Sequence, residues 1–234
     1  MKTVAFIFAR GGSKGLPEKN IKKLCGKPLL EYSIDVAKEI KEIDDIFVST
    51  DCSTIAMIAK NNGAKIIKRP DALATDLSPE LSSWKHAINY VKENYYAFDT
   101  MVSLPTTSPL RSKQDVTMVI DKLNSTNADI CITVTPSSRS PYFNMVKFTE
   151  NNLVELVISP ENLVIRRQDA PEVFDVTTLA YAARVSYIEH TNSLFSGKVA
   201  AKIVPKERSI DIDDIYDFIF AEALLNFRDN NESS

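Results

Sequence analysis

The sequence predicts an α/β fold with a doubly wound, mainly parallel sheet and one inserted antiparallel arm. Short apolar runs alternate with segments whose apolar residues recur at helical spacing, as far as residue 135. This alternation is typical of a sheet covered by helices on both faces. From Ser137 to about Val176 the alternation gives way to a hairpin pattern, which predicts the arm.

Five strands are predicted in the alternating part of the chain. The first is a continuous apolar run, typical of a strand that is covered on both faces. The later runs are of similar length, and each follows a predicted helix. In order, the predicted strands are Thr3–Phe8, Ile46–Ser49, Lys65–Lys68, Met101–Leu104 and Ile130–Thr135.

Four helices are predicted between these strands from apolar residues three or four positions apart. Pro28 suits the start of the first helix, and Ser53 and Ser78 are predicted N-caps. Gly63 suits the left-handed residue that ends the second helix. The predicted apolar faces run from Leu29 to Ile40, Ile55 to Ala59, Leu81 to Val91 and Val116 to Leu123.

The last third of the chain contains the arm and a return to the sheet. The predicted hairpin joins Tyr142–Phe148 to Leu153–Ile158 through a turn at Asn151-Asn152. We expect a single domain, residues 1–234, in which residues 137–176 form a dimerisation arm. The remaining predicted elements are strands Thr177–Ala183 and Ala200–Val204, a helix from Ile215 to Leu225 and a polar tail, Asp229–Ser234.

The composition is that of an ordinary globular protein with 44% hydrophobic and 25% charged residues. A net charge of -3 argues against a nucleic-acid-binding surface, although a phosphorylated ligand needs only a local basic cluster. No apolar run approaches the ~20 residues of a membrane helix, and no signal-peptide cleavage pattern precedes Arg10, so we expect a cytoplasmic protein. Cys25, Cys52 and Cys131 lack metal or disulfide spacing and are expected to be buried or half-buried.

The loop after the first strand has the composition of a polyanion site. Arg10, Lys14 and Lys19 lie within ten residues, and the glycines between them permit close backbone approach to a ligand. Neither the Walker sequence nor the dinucleotide fingerprint is present. Lysine-rich loops are more often solvated surface, but this loop follows the first strand, where open α/β sheets bind ligands. The position of the loop therefore favours ligand binding over a solvated surface loop.

Asp211 and Asp213 are a candidate Mg²⁺ site. Residues two apart on an extended segment point to the same side, and Mg²⁺ takes one or two carboxylates together with phosphate oxygens and water. The alternative is that Asp213 or Asp214 caps the helix at Ile215, and spacing alone favours capping. No general base is evident, since His86 falls off its helix's apolar face and is predicted to be solvated.

Motifs along nearly the whole chain resemble those of the acylneuraminate cytidylyltransferases, the CMP-sialic-acid synthetases. The matching segments occur in the family's order and together are highly specific. They are Ala9–Ile21, Gly26–Leu29, Val48–Asp51, Lys68–Pro70 with Leu73–Asp76, Thr107–Arg111 and Ser209–Asp213.

The resemblance implies a Rossmann-like fold that dimerises through the arm, and a Mg²⁺-dependent reaction of CTP with a 2-keto-3-deoxy sugar acid. The products are a CMP-sugar and pyrophosphate. By this resemblance Arg10 and Lys19 are catalytic triphosphate ligands, and Asp211 and Asp213 hold the metal. The implied nucleotide-binding residues are Arg10, Gly12, Ser13, Lys19, Asn20 and Arg69.

Three segments depart from the family pattern where the sugar and the nucleotide are expected. The family's Leu-Gln-Pro-Thr-Ser-Pro is Leu104-Pro-Thr-Thr-Ser-Pro109, and proline cannot make the glutamine's side-chain contact. Arg-Pro-Asn-Gly is replaced by Asp175-Val-Thr-Thr178, and a family serine is replaced by Glu80 or shifted to Ser78. The candidate sugar-binding residues are therefore Thr106, Arg167, Gln168 and Asp175.

These departures leave three hypotheses open. In the first, the substrate is a nonulosonic acid related to sialic acid, such as legionaminic acid, and a guanidinium at Arg167 binds its carboxylate. An exposed interface salt bridge is the alternative role for Arg167. In the second hypothesis the same chemistry acts on an octulosonate or a smaller acid. In the third the chain binds nucleotide without catalysis, but retention of both carboxylates argues against it.

Overall fold

A computed structural model describes residues 1–159, 164 and 166–232. Parts of two predicted segments, residues 160–163 and 165 of the arm and 233–234 of the tail, lie outside the described residues. Within the described residues, eleven strands are numbered in chain order: β1 Thr3–Phe8, β2 Lys23–Leu24, β3 Lys27–Pro28, β4 Asp45–Thr50, β5 Lys65–Lys68, β6 Thr100–Ser103, β7 Ile130–Pro136, β8 Val146–Phe148, β9 Val154–Leu156, β10 Phe174–Arg184 and β11 Val199–Ile203. The α-helices are α1 Leu29–Lys38, α2 Ser53–Asn61, α3 Glu80–Asn94, α4 Lys113–Ser125, α5 Val185–His190 and α6 Ile215–Glu232.

Seven of the strands form one central sheet in the order β11-β7-β10-β6-β1-β4-β5. All neighbouring pairs in it are parallel except those of β10, which runs antiparallel to both β6 and β7. The chain therefore enters the sheet at β1, winds outward through β4 and β5, and then returns through β6 to fill the other half. The predicted α/β class with a mainly parallel, doubly wound sheet is confirmed.

Helices cover both faces of the sheet. One core layer joins α1, α2 and α4 to one face, and the other joins α3 and α5 to the opposite face. The first layer is aliphatic, whereas the second also contains aromatic side chains, of which Trp84 of α3 is the largest that is fully buried. Burial on both faces explains why the strands are apolar without alternation.

A third apolar cluster attaches α6 to the start of the chain. Leu16 of the basic loop and Leu24 of β2 pack with Ile212, Phe218 and Leu225. This cluster lies beside the carboxyl end of β1, so it brings the segment before α6 against the basic loop.

The arm contains a short antiparallel hairpin, β8 with β9, whose turn includes Asn152 in the left-handed conformation (φ 62°). The strands are shorter than predicted. Residues 174–176, which the sequence pattern assigned to the arm, are the first residues of β10 and pair with β7.

Several local predictions were wrong. Ser53 is the first residue of α2 rather than its cap, and α3 begins after Pro79, so Ser78 does not cap it either. His86 is half-buried rather than solvated, and burial lowers the pKa of its imidazole. Cys25 is exposed. Gly63, by contrast, has the expected left-handed backbone (φ 80°).

Further differences lie near the carboxyl terminus. The short helix α5 was not predicted, and α6 continues through most of the predicted polar tail. Within the described part of the chain, no helix has the length and apolarity needed to cross a membrane.

Candidate active site

The basic loop leaves the carboxyl end of β1 and is fixed at both ends. The amide of Gly11 donates to the Asp51 carboxylate, which follows β4, at 3.0 Å. Further along, a Cβ on Gly15 would lie 2.4 Å from the carbonyl oxygen of Asp213, so only glycine fits there. Gly12 has open space around its Cα, since no atom lies within 4 Å of a Cβ built there. The loop thus touches the Asp213 segment at Gly15 and is open at Gly12.

The loop forms one wall of a cavity of about 360 Å³. Six predicted site residues line this cavity. Four belong to the loop, Thr106 belongs to the turn that follows β6, and Asp213 belongs to the segment before α6. The cavity is lined by Phe8, Arg10, Ser13, Lys14, Gly15, Lys19, Asn20, Pro105, Thr106, Thr107 and Asp213.

Two of the predicted phosphate-binding cations share one carboxylate. Arg10 and Lys14 both form ion pairs of 2.5 Å with Asp76, which lies in the segment between β5 and α3. Hydrogen bonds from Lys14 and Arg10 lower the pKa of Asp76. These pairs are partly exposed and therefore weak. They hold the cations near the cavity, and a ligand can displace the Asp76 carboxylate at little cost in free energy.

Lys19 is linked to the carboxylate segment. Its ammonium donates to the carbonyl oxygen of Ile212 at 2.5 Å and lies 3.3 Å from the Asp213 carboxylate. The Lys19 side chain is mostly buried, whereas that of Asp213 is 78% exposed. The cation therefore stays in place while the carboxylate remains accessible.

Asn20 joins the loop to the turn after β6. Its amide nitrogen donates to the Arg10 carbonyl at 2.8 Å, and its amide oxygen accepts from the Thr106 hydroxyl at 2.5 Å. Asn20 and Thr106 are both buried. Thr106 lines the cavity, but its hydroxyl is already used in orienting Asn20.

Arg69 lies beneath the cavity and is 5% exposed. Its guanidinium donates to the hydroxyl and the carbonyl of Ser49 at 3.2 and 2.9 Å and stacks on Phe8, 5.6 Å from the ring centre. Burial lowers its pKa to about 10, so it remains a cation at neutral pH, with Asp51 the nearest compensating charge. Its link to the cavity is Phe8, which lines the cavity and on which the guanidinium stacks.

The carboxylate pair is placed by backbone pairing. The Ile212 amide donates to the Thr107 carbonyl at 2.8 Å, and the Ile212 side chain is completely buried. On either side of that buried side chain, Asp211 is half-buried and the Asp213 carboxylate is mostly exposed.

Asp211 is half-buried and lies beside the hydroxyls of Thr107 and Thr178. Burial, and then the nearby charge of Asp213, raise the pKa of Asp211, while the two hydroxyls oppose that shift. Its Oδ1 atom is buried without a hydrogen-bond partner among the described residues.

Capping of α6 is performed by Asp214. Its carboxylate accepts from the amides of Tyr216 and Asp217 at 2.8 and 3.1 Å, and the Asp217 carboxylate accepts in return from the amides of Asp213 and Asp214. This reciprocal arrangement satisfies the free amides at the helix start. Capping therefore does not occupy the carboxylates of Asp211 or Asp213.

A bulge in β10 delivers Thr178 to this pair. Thr177 pairs with Thr133 of β7, but Tyr181 pairs with Ile132, so three residues of β10 lack a partner residue. The buried Thr133 hydroxyl fills the gap by accepting from the Ala180 amide and from Thr177, at 3.2 and 2.7 Å. Bulges commonly redirect side chains beside active sites.

The residues predicted for sugar binding do not all meet in one place. Arg167 and Gln168 line a second cavity of about 390 Å³ at the base of the arm, with Ser137, Arg139 and Ser140. The Arg167 guanidinium donates to the Ser137 carbonyl. Asp175 is exposed on β10, and it is not among the described residues that line either cavity.

Glu80 and Ser78 lie at the start of α3. Glu80 is the first residue of that helix and lines a smaller cavity of about 210 Å³ with Trp84 and Asn192. Burial raises the pKa of the Glu80 carboxyl, and the Arg69 charge partly opposes this shift. The Ser78 hydroxyl is buried and has no hydrogen-bond partner in the described chain.

The cation-rich loop and the carboxylate pair together match a known family. A family model described as cytidylyltransferase matches residues 4–224. The chain belongs to the cytidylyltransferase family.

Three relatives are similar to this cytidylyltransferase along nearly its whole length. A CMP-N,N'-diacetyllegionaminic acid synthase of Campylobacter jejuni is 32% identical over 95% of this chain and 94% of its own length. The post-translational flagellin modification protein B of Campylobacter coli is 31% identical over 94% of this chain and 93% of its own length. An N-acylneuraminate cytidylyltransferase of Escherichia coli is 30% identical over 94% of this chain, which spans about half (51%) of that protein. The resemblance to the acylneuraminate cytidylyltransferases is confirmed.

The fold of this cytidylyltransferase is also found among solved structures. A CMP:2-keto-3-deoxy-manno-octonic acid synthetase complexed with CTP superposes with a TM-score of 0.73 over 97% of this chain and 100% of that one. At 16% identity this likeness shows the Rossmann-like fold alone.

Sequence reasoning missed four contributors to this cytidylyltransferase site. Asp76 pairs with Arg10 and Lys14, and Asp51 accepts from the Gly11 amide. Both lie in segments that match the family, and their position there was a usable signal. Thr107 and Thr178 lie beside Asp211 and lower the pKa of its carboxyl. Their contribution depends on the β10 bulge and on pairing of distant backbone segments, for which the sequence has no local signal.

Proposed function

We propose that the chain transfers a cytidylyl group from CTP to the anomeric hydroxyl of a nonulosonic acid. The hydroxyl oxygen forms a bond to the α-phosphorus, the bond from that phosphorus to the bridging oxygen breaks, and pyrophosphate leaves. The hydroxyl proton passes to solvent. The observation that carries the proposal is the single cavity in which Arg10, Lys19 and Asn20 face Asp213.

The cations of the loop have a defined role in this reaction. Arg10, Lys14 and Lys19 are each held by a carboxylate through a partly exposed ion pair, which a triphosphate can replace. Once the triphosphate has replaced these carboxylates, the cations neutralise the charge that grows on the departing pyrophosphate. Arginine binds two phosphate oxygens at once, whereas lysine acts as a point charge. Asn20, fixed by Thr106, is the proposed contact to the nucleoside.

We propose Mg²⁺ as the cofactor, held by Asp211 and Asp213. The donor set fits, since one buried Asp211 oxygen has no partner in the described structure and the Asp213 carboxylate is mostly exposed. Across residues 1–159, 164 and 166–232 no group of three or more potential ligands gathers, which suits Mg²⁺ with its water and phosphate ligands. When bound, the ion supplies Lewis-acid polarisation of the α-phosphate.

The sugar acid is proposed to be a relative of sialic acid, because two relatives that cover nearly the whole chain carry legionaminic acid or flagellin modification in their names. Thr106 and Thr178 lie in the segments that depart from the sialic-acid motifs. The Thr106 hydroxyl donates to Asn20 and the Thr178 hydroxyl lies beside Asp211, so these departures change the surroundings of the proposed sugar site. Arg167 is the proposed partner of the sugar carboxylate.

We further propose a homodimer that forms through the arm. The arm carries exposed apolar side chains, which a solvated hairpin of this size would not retain without a partner. They are Met145, Val146, Phe148, Leu153, Val154, Val157 and Ile158. We expect Phe148→Asp to convert a dimer to a monomer in light scattering. Phe195→Asp, at another exposed phenylalanine outside the arm, is the control.

The activity is tested by pyrophosphate release from CTP and Mg²⁺ with a panel of acids. The panel contains N,N'-diacetyllegionaminic, pseudaminic, N-acetylneuraminic and 3-deoxy-manno-octulosonic acids, so it also decides between the nine-carbon and eight-carbon alternatives. We expect turnover with a nine-carbon acid and its loss on chelation of the metal. Release no faster than in the acid-free blank, for every acid, would refute the proposal.

Two adjacent aspartates provide a matched pair of variants. Asp213→Asn is expected to lower kcat at least a hundredfold, because it removes a proposed metal ligand. Asp214→Asn changes the same atoms one residue later, and asparagine is an equally good N-cap, so turnover should stay within about twofold. Equal losses in both variants would contradict the assignment of the metal pair.

A further inference from the structure

Arg111 is a buried cation that the proposed reaction does not use. It follows the turn after β6 and is 3% exposed. Its three hydrogen-bond partners are neutral: the Leu179 carbonyl at 2.8 Å, the Ser33 hydroxyl at 2.6 Å, and the Pro105 carbonyl. A buried charge without a carboxylate partner is costly, and an apolar residue in its place is often neutral or stabilising. The fold alone therefore does not explain it.

Two of the three partners, Pro105 and Leu179, lie in the segments that carry the hydroxyls of the site, and the third, Ser33, lies on α1. Pro105 immediately precedes Thr106 and Thr107, and Leu179 lies inside the β10 bulge, directly after Thr178. One planar guanidinium therefore fixes the distance between the turn and the bulge.

The consequence reaches Asp211. Thr107 and Thr178 approach Asp211 from the turn and the bulge respectively, and Ser108 joins the two segments through a 2.8 Å hydrogen bond with Thr178. The remaining carboxylate near Arg111 is Asp115, which is already paired with Arg208 at 2.8 Å. Arg111 thus contacts neither the cavity nor Asp211 directly.

We propose that Arg111 is a positioning residue, whose guanidinium fork aligns the turn and the bulge so that Thr107 and Thr178 orient the Asp211 carboxylate. This inference rests on the proposed function in one respect, the use of Asp211 in turnover. The requirement is for the guanidinium fork rather than the charge alone, because each of the three partners is bound by a different guanidinium nitrogen.

A double-mutant cycle tests the proposal. Arg111→Lys retains the charge and loses the fork, and Thr178→Val removes the hydroxyl. We expect each to lower kcat about tenfold with the KM for CTP changed less than twofold, because only the orientation of Asp211 is altered. The double variant should also be about tenfold impaired, since both changes break the same link. A loss of kcat of about a hundredfold in the double variant, equal to the product of the two single losses, would overturn the proposal.

A second measurement does not depend on activity. Hydrogen exchange of the 174–184 segment should accelerate in Arg111→Lys, because the Leu179 carbonyl loses its anchor, and stay unchanged in the control Arg208→Lys. Unchanged exchange in Arg111→Lys would overturn the proposal. If that variant does not fold, Ser33→Ala, which removes one partner only, should show the same acceleration to a smaller degree. Wild-type turnover in the acid panel tests the proposed function separately.

Discussion

Replacing Gly15 by alanine places a methyl group against the backbone of the segment that carries the carboxylate pair. The added Cβ would lie 2.4 Å from the Asp213 carbonyl oxygen, whereas ordinary contact begins near 3.4 Å. The two backbones must therefore separate by about 1 Å, and no flexible side chain is present to absorb the shift. Such overpacking costs about 1–3 kcal/mol.

In a domain of this size each kcal/mol corresponds to about 2–4 °C, so Gly15→Ala should lower the melting temperature by about 2 to 12 °C. The separation also stretches the 2.5 Å hydrogen bond from Lys19 to Ile212, so kcat should fall as well. Differential scanning fluorimetry and pyrophosphate release measure the two effects.

Gly12→Ala is the matched control, because a Cβ there meets nothing within 4 Å. It should leave the melting temperature of the ligand-free protein within about 1 °C and weaken CTP binding only, since Gly12 belongs to the proposed nucleotide site. A Gly15→Ala protein with the melting temperature and kcat of the wild type would refute the assigned contact between the loop and the carboxylate segment.

Three further variants test the charges and hydrogen bonds of the site. Asp76→Asn should tighten CTP binding about threefold in calorimetry, because Arg10 no longer exchanges a carboxylate for the triphosphate; weaker binding would show that Asp76 orients the cation instead. Asp211→Asn should abolish turnover yet raise the melting temperature at neutral pH without metal, because burial raises the pKa of Asp211 in the folded state and disfavours its ionised form. That gain should vanish as the pH falls below the unfolded pKa, where Asp211 is protonated in both states, so a gain that persists in acid would contradict it. Thr106→Val leaves the buried Asn20 amide oxygen unpaired, which costs about 1–3 kcal/mol, and should weaken CTP binding about fivefold or more while an unchanged affinity would exclude this role.

Much of the fold follows from residue patterns that act locally. Unbroken apolar runs such as Thr3–Phe8 belong to strands buried on both faces, and these were placed to within a residue or two. Helix starts were less predictable, because Ser53 and Ser78 have the right chemistry one or two residues away from the actual ends. Local preference limits a boundary to a few candidates, and packing selects one.

The carboxylate segment shows where the sequence was ambiguous. Three aspartates in four residues allow either capping or metal binding, and spacing alone favoured capping. The structure assigns capping of α6 to Asp214, because its carboxylate accepts the helix amides, while the Ile212 amide pairs with the Thr107 carbonyl and keeps the carboxylates of Asp211 and Asp213 separate from the cap. That separation depends on a partner about a hundred residues away.

Long-range features were beyond reach. The β10 bulge exists because Thr133 substitutes for a missing partner residue, and neither strand marks it by composition. Burial of Arg69 and Arg111 was likewise unpredictable, since an arginine in a loop motif is more often exposed. Hydrogen-bond partners such as Ser49 and the Leu179 carbonyl become visible only after the chain is folded.

The bond between Lys19 and Ile212 spans 193 residues of sequence, and the Asp213 contact spans 194. Loop closure over such a distance is slow, because its entropy must be lost before the contact contributes any stability. A folding intermediate that has assembled only β1, β4, β5 and β6 would contain the cations of the loop but not the facing carboxylates. Binding of metal-loaded nucleotide is therefore expected to arise last during folding, and it can serve as a kinetic signal for docking of α6.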